Sequence, residues 1–191
     1  MRLLIISSSL DVASRSERLA KMCSDYLADA GHDARFLSLK DHRLEGFDNG
    51  QLHDSKSYLE LHQAVTEADG LVFASPIYNW GCCAELKKFV EYVGSTPPDG
   101  TKRGAFFDKV VTFVNSAGLP HSYMAFTSLA NSMMLDFKCI VSPYNIYAHN
   151  QHWNGEILEN EMKQRLIKSM DVFVELTALL QARRYKSNWE I

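Results

Sequence analysis

The sequence predicts a three-layer α/β/α sandwich built on a five-stranded parallel sheet in the order 2-1-3-4-5. Three observations carry that expectation. Leu3 to Ile6 and Gly70 to Ala74 are short, continuously apolar runs, the pattern of strands covered on both faces. Segments of helical periodicity separate the strands, so strand and helix alternate five times, and right-handed crossovers place helices on both sides of one sheet. At 191 residues, with 46% hydrophobic and 23% charged residues, the chain suits a single doubly wound domain over residues 1–191.

Taken in order, Leu3 to Ile6 gives way to a polar loop, and Glu17 to Ala30 carries Leu19, Met22, Cys23, Tyr26 and Leu27 with helical spacing. Gly31 stops that helix, and His32 to Leu39 is the second strand. A polar stretch from Lys40 to Lys56 follows, with Gly46, Asn49 and Gly50 marking turns. Ser57 to Ala68 is the second helix, with Tyr58, Leu61, Val65 and Ala68 on one face. The third strand is Gly70 to Ala74. Pro76 is expected to end it, because proline removes a ladder donor and holds Ser75 extended. Cys83 to Val93 makes the third helix, burying Leu86, Phe89, Val90 and Val93, and Gly94 to Gly104, with Pro97 and Pro98, is a surface connection. Val110 to Val114 is the fourth strand, Asn115 to Pro120 a loop, and Met124 to Phe137 the fourth helix. Cys139 to Val141 starts the fifth strand, Pro143 to Asn154 reads as loop, and Glu159 to Arg183 is a long closing helix.

Several function classes drop out on composition. A net charge of −3, with no basic run beyond Arg183-Arg184-Tyr185-Lys186, argues against a nucleic-acid partner. No segment approaches the roughly 18 apolar residues of a membrane span, and Arg2 to Ile6 is too short for a signal-peptide core, so the expected location is cytoplasmic. Cys23, Cys82, Cys83 and Cys139 show no C-x-x-C spacing and read as reduced, mostly buried thiols. Cys82 and Cys83 open a predicted helix, where a thiol pKa would fall, but packing is the preferred reading. His149 and His152 have a helical ligand spacing without a third ligand, and no metal is expected.

In the 2-1-3-4-5 order, strands one, three and four lie side by side, and their following loops should converge on one ligand at the carboxyl edge of the sheet. The first loop concentrates Ser7, Ser8, Ser9, Ser14 and Ser16 ahead of a helix, with Arg15 between the last two, which suits a terminal phosphate. The plainer alternative is a loop that caps its helix through Ser14 or Ser16. It has neither the G-x-G-x-x-G of a dinucleotide fold nor the G-x-x-x-x-G-K of a P-loop. The second loop brings Tyr78 and Trp80, and the third brings Ser116 and Gly118, small enough for a flat ring to approach the backbone. Such a site suits a planar ring with a phosphorylated tail. Flavin mononucleotide (FMN) has that shape.

Ser9, Ser14, Arg15 and Ser16, the Ala68-Asp69-Gly70-Leu71-Val72 run into Ser75-Pro76-Ile77-Tyr78-Asn79, Leu86-Lys87-Lys88, and Ser116-Ala117-Gly118 resemble the flavodoxin-like NAD(P)H-dependent FMN reductase family. The first loop is most similar to reductases that supply flavin to two-component sulfonate monooxygenases. The resemblance implies that Ser9, Ser14, Arg15 and Ser16 hold the FMN phosphate, that Pro76, Ile77, Tyr78 and Asn79, with Trp80 beside them, line the ribityl chain and ring, and that Ser116, Ala117 and Gly118 touch the pyrimidine side. It also implies hydride transfer from NADPH or NADH to FMN and on to a small-molecule electron acceptor such as free flavin, a quinone, an azo compound or a metal ion. A homodimer or homotetramer and a monooxygenase partner are implied too. Trp80, Tyr123, Met124 and Phe126 are the residues suited to an interface between copies. Stacked rings pass hydride directly, so no acid, base or nucleophile is assigned, and His121 in the third loop reads as a solvated residue. Asp11 stands where many relatives have arginine, Gly81 where they have serine and Ala117 where they have glycine. Two rivals remain, a non-enzymatic FMN carrier and a scaffold that has lost FMN.

Overall fold

The computed structural model describes residues 1–42, 44–48, 52–95 and 104–187. Its strands are β1 (Arg2–Ser7), β2 (Asp33–Ser38), β3 (Gly70–Tyr78), β4 (Gly81–Cys82), β5 (Val110–Ser116), β6 (Ile140–Val141), β7 (Ile146–Ala148), β8 (Trp153–Asn154) and β9 (Ile157–Leu158). Its α-helices are α1 (Arg15–Asp29), α2 (Lys56–Glu67), α3 (Ala84–Gly94), α4 (Thr127–Phe137) and α5 (Asn160–Gln181). The main sheet runs β2-β1-β3-β5-β6, with β7 also paired to β5, and all of these pairings are parallel. That is the 2-1-3-4-5 order, with β5 as the fourth strand and β6 and β7 sharing the fifth place.

Alternation along each strand divides the core between the two faces of the sheet. Leu4 and Ile6 of β1 join Tyr58, Leu61, Leu86, Phe89, Leu129 and Met133 from α2, α3 and α4. Leu3 and Ile5 join Leu19, Cys23, Leu166, Met170 and Phe173 from α1 and α5. The starts of α1 and α2 are fixed by side chains: Ser14 Oγ accepts from Glu17 N at 3.1 Å, and Ser55 Oγ accepts from Tyr58 N at 3.2 Å.

The structure corrects the expected elements in four places. Pro76 does not end the third strand, which continues to Tyr78 with Ser75 opposite Asn115 and Pro76 opposite Ser116. The reason is which side lacks the donor. Ser8 N donates to Ala74 O at 3.0 Å, so residue 74 faces β1, and Pro76, two residues on, turns the same way after β1 has ended. Asn115 and Ser116 likewise belong to β5 rather than a loop, because β7, within the stretch expected to be loop, pairs them with Tyr147 and Ala148. The helix expected from Met124 begins at Thr127, after a short 3-10 turn at Pro120–Ser122. The third helix starts at Ala84, leaving Cys82 in β4 and Cys83 as the cap residue. The turn at Asn49 and Gly50 and the connection through Pro97 and Pro98 lie outside the described residues.

Candidate functional site

Because β1, β3 and β5 are neighbours, their three carboxyl ends open side by side into a cleft of about 280 Å³. Its walls are Ser9, Asp11, Ala13, Ser14, Arg15 and Ser16 from the first loop and the start of α1, Pro76, Ile77 and Tyr78 from β3, Ser116, Ala117 and Gly118 from the end of β5, and Asn150 beyond β7. Ten of the twelve residues singled out from the sequence therefore meet in one place. Asn79 and Trp80 are the two that do not line it. Trp80 instead borders a neighbouring depression of about 230 Å³ with Gly81, Cys82, Lys87 and Ala125.

At the α1 end, Ser14 is the helix cap, as the plainer sequence alternative has it. Its hydroxyl takes the amide of Glu17 and lies 2.9 Å from Ser16 Oγ, while the first α-helical bond, Arg18 N to Ser14 O, leaves the amides of Arg15 and Ser16 ahead of the hydrogen-bonded ladder. Those amides carry the positive end of the helix dipole. Arg15 adds a full charge; its Nη1 donates to Asn150 Oδ1 at 2.5 Å and its guanidinium stands 5.6 Å above the Trp153 ring. The acidic Glu17 in the first turn is drawn off by Lys21 Nζ at 2.8 Å and Lys40 Nζ at 2.6 Å. Burial pushes the Glu17 carboxyl up, but these two hydrogen bonds and their charges outweigh it and hold the group below its ordinary value. Stability from this pairing is full above the unfolded-state carboxylate pKa and is lost as pH falls through the lower folded value. Glu17→Gln should therefore flatten the acid limb of stability against pH, measured by urea unfolding.

Asp11 is the discordant group. Its Oδ1 accepts from Ala13 N at 2.9 Å, and its own amide donates to Ser9 Oγ at 3.2 Å, so a carboxylate is tied into the wall that suits a phosphate. At the other end, β3 and β4 form an antiparallel hairpin, Ile77 opposite Cys82 and Tyr78 opposite Gly81, turning on Asn79 and Trp80. Both turn residues are left-handed, with φ of 50° and 62°. Asparagine tolerates that conformation, whereas the second position of such a turn ordinarily calls for glycine. Trp80 is held there 68% exposed, beside Tyr78 at 58%. Trp80→Gly should relieve the backbone by more than the unfolded-chain entropy that glycine adds, a net gain of ~0.5 kcal/mol read as a slightly higher melting temperature.

The Cys82 thiol is not activated, because burial pushes it up to about 11. Cys83 is buried in the core with its Sγ 3.2 Å from Ser8 Oγ and 3.5 Å from Ser75 Oγ. His121 is exposed and does not line the cleft. His149 and His152 have ring centroids 3.9 Å apart, and among the described residues no group of three His, Cys, Asp or Glu side chains could hold a metal ion. Nor is any described helix long and apolar enough to cross a membrane.

A family model described as NADPH-dependent FMN reductase matches residues 1–154. The chain belongs to that family. The reductase is 28% identical over 140 residues, 70% of each chain, to a protein of Geobacillus thermodenitrificans (strain NG80-2) named NAD(P)H-dependent FAD/FMN reductase. Among solved structures it superposes on FerB of Paracoccus denitrificans, described as a flavoenzyme NAD(P)H:(acceptor) oxidoreductase, with TM-score 0.76 at 17% identity, covering 93% of this chain and 97% of that one. It also superposes on the flavodoxin of Streptococcus pneumoniae TIGR4, with TM-score 0.60 at 14% identity, covering 92% and 99%. The fold is flavodoxin-like, and the protein is an NAD(P)H-dependent flavin oxidoreductase that uses FMN.

Asn150 and Ala13 are cleft residues that sequence reasoning misses. Ala13 carries no chemical signal of its own. Asn150 lies in the stretch read as loop, and only the pairing of β7 with β5 brings it beside Arg15.

Proposed function

We propose that the reductase holds FMN in the cleft with its phosphate at the amides of Arg15 and Ser16, the Ser9 and Ser16 hydroxyls and the Arg15 guanidinium, and its ring between Tyr78 and the Ser116-Ala117-Gly118 segment. The observation that carries this reading is the junction, in one cleft, of a helix N-terminus and a cation with a wall of small residues and an aromatic rim. The residues present fit the group at both ends. A Cβ built on Gly118 would point toward Asn150 Nδ2 at 3.7 Å, so the missing side chain is room left on the cleft wall. When bound, FMN supplies two-electron chemistry, taking hydride from NADPH or NADH and giving it to an acceptor. The protein's part is geometric. Arg15 and the α1 amides fix the tail, Pro76 and Ile77 wall the middle, and Tyr78 with Trp80 leaves one side open for nicotinamide and acceptor in turn.

The second substrate is, on this reading, a small oxidised molecule with a flat or conjugated reacting part, such as free flavin, a quinone or an azo compound. Tyr78 offers exposed aromatic surface on the cleft wall, and Trp80, two residues on in the hairpin turn, adds more next to Tyr78. Anaerobic mixing with NADPH and with NADH, then each acceptor, tests it: flavin absorbance that bleaches with the donor and returns with acceptor supports the reading, and retained flavin that neither donor bleaches overturns it. Trp80→Gly should slow the oxidative half-reaction with aromatic acceptors by about three- to ten-fold while leaving bleaching nearly unchanged.

FMN is expected to be held loosely, because the Asp11 carboxylate shares the cleft with the phosphate. Asp11→Asn retains the side-chain acceptor for Ala13 N and removes the charge, so it should tighten FMN by about ten-fold, ~1.4 kcal/mol, at low salt and less at high salt. Fluorescence titration checks it.

The reductase is further proposed to be a single cytoplasmic domain that assembles into a homodimer or homotetramer, with a flavin-consuming monooxygenase as its downstream partner. The exposed Trp80, Tyr123 and Met124 support the assembly. Phe126 does not belong with them, since it packs on the core with its ring 5.2 Å from Phe113. A monomer by size-exclusion chromatography with light scattering would remove the oligomer proposal.

A further inference from the structure

We propose that Asn150 is a positioning residue for FMN: it holds the Arg15 guanidinium at the phosphate end of the cleft and ties it to the far wall, so that phosphate meets a cation already in place. The proposal rests on the flavin reading of the cleft given above.

Arginine is a long side chain, and fixing it when ligand arrives costs rotamer entropy. Here it is fixed beforehand on two sides. Arg15 Nη1 donates to Asn150 Oδ1 at 2.5 Å, and the guanidinium stands 5.6 Å over the Trp153 ring, whose residue is buried at 8% exposure. Asn150 is itself anchored to the opposite wall. Its amide reaches Gly118 O at 3.4 Å, and one step earlier Ala117 N donates to Ala148 O at 3.0 Å, continuing the β5–β7 pairing past the end of the sheet. The first and third loops are thereby bridged by one residue of a fourth segment, through its side chain to Arg15 and its backbone to Gly118.

The chemistry of the contact matters as much as its place. A carboxylate at position 150 would hold Arg15 as firmly but would neutralise it and add a second negative charge beside Asp11. An amide oxygen takes one of the five guanidinium donors and leaves the charge and the remaining donors for phosphate.

The test compares FMN with riboflavin, which has the same ring and no phosphate. Titrating each against the flavin-free wild type, Asn150→Ala, Arg15→Ala and the double variant by fluorescence, we expect Asn150→Ala to weaken FMN about five-fold and leave riboflavin unchanged. In the Arg15→Ala background the second substitution should change neither. Asn150 is exposed, and unchanged melting of the Asn150→Ala variant verifies that the comparison is between folded proteins. Equal losses for FMN and riboflavin, an FMN loss that persists without Arg15, or wild-type FMN affinity in Asn150→Ala would each overturn the positioning role. A wild type that binds neither flavin would instead overturn the flavin reading, and this proposal with it.

Discussion

Arg15→Ala is expected to weaken FMN binding by roughly 30-fold, ~2 kcal/mol, the scale of a hydrogen-bonded charge pair lost at a half-buried site. The direction follows from what remains. Without the guanidinium, the phosphate end keeps the α1 amides and the serine hydroxyls, which are dipoles, while the Asp11 carboxylate stays in the wall. Riboflavin affinity should change by less than about two-fold, because a cation at the α1 end has no phosphate to meet in that ligand. Wild-type FMN affinity should fall with added salt, and the fall should be shallower in the variant, since the screened charge is the one removed. Arg15→Lys should recover only part of the loss: an ammonium restores the charge but not the planar fork that reaches Asn150 and a phosphate together. Isothermal or fluorescence titration of FMN and riboflavin at two salt concentrations checks all of this. Equal losses for both ligands would place Arg15 against the ring rather than the tail.

The sheet order was legible in the sequence because wholly apolar runs separated by amphipathic segments admit few other folds. Leu3 to Ile6 and Gly70 to Ala74 could hardly be anything but buried parallel strands. The neighbouring carboxyl ends, and hence most of the cleft, followed from that order alone. The residues that sequence placed wrongly are those whose state depends on a partner far along the chain. Pro76 continues its strand because β1 has ended on the side where proline lacks a donor, a fact about registry rather than about proline. Asn115 and Ser116 look like loop residues and are strand residues because β7 lies opposite them. Asn150 has no local signature, since its role rests on an arginine 135 positions earlier. Trp80 is the opposite case. Its aromatic character is plain in the sequence, but the hairpin turn sets it beside a neighbouring depression rather than on the cleft wall.

Gly70→Ala is expected to destabilise the fold by ~2 kcal/mol net, a fall of about 4–8 °C in melting temperature for a domain of this size. Gly70 starts β3, between Leu3 of β1 and Val110 of β5. A Cβ there would stand 2.7 Å from Phe173 Cζ and 2.8 Å from Thr177 Oγ1. Neither neighbour yields easily. Both are fully buried on α5, Phe173 is embedded in the α1–α5 core, and Thr177 Oγ1 is committed to Phe173 O at 2.7 Å. The added methyl must therefore lift α5 from the sheet or push the phenyl ring off its rotamer, and both cost more than the roughly 0.4–1 kcal/mol that alanine contributes by stiffening the unfolded chain. Since Phe173 supplies the collision, Phe173→Leu should make room, and the double variant should be more stable than the sum of the two single losses by about 1 kcal/mol or more. Thermal and urea unfolding of the four proteins checks this. The cleft proposed for FMN lies at the other end of β3, so FMN affinity below the melting transition should be unchanged in Gly70→Ala. An affinity loss would mean that α5 carries its displacement through the sheet to the β7–β8 segment and Asn150.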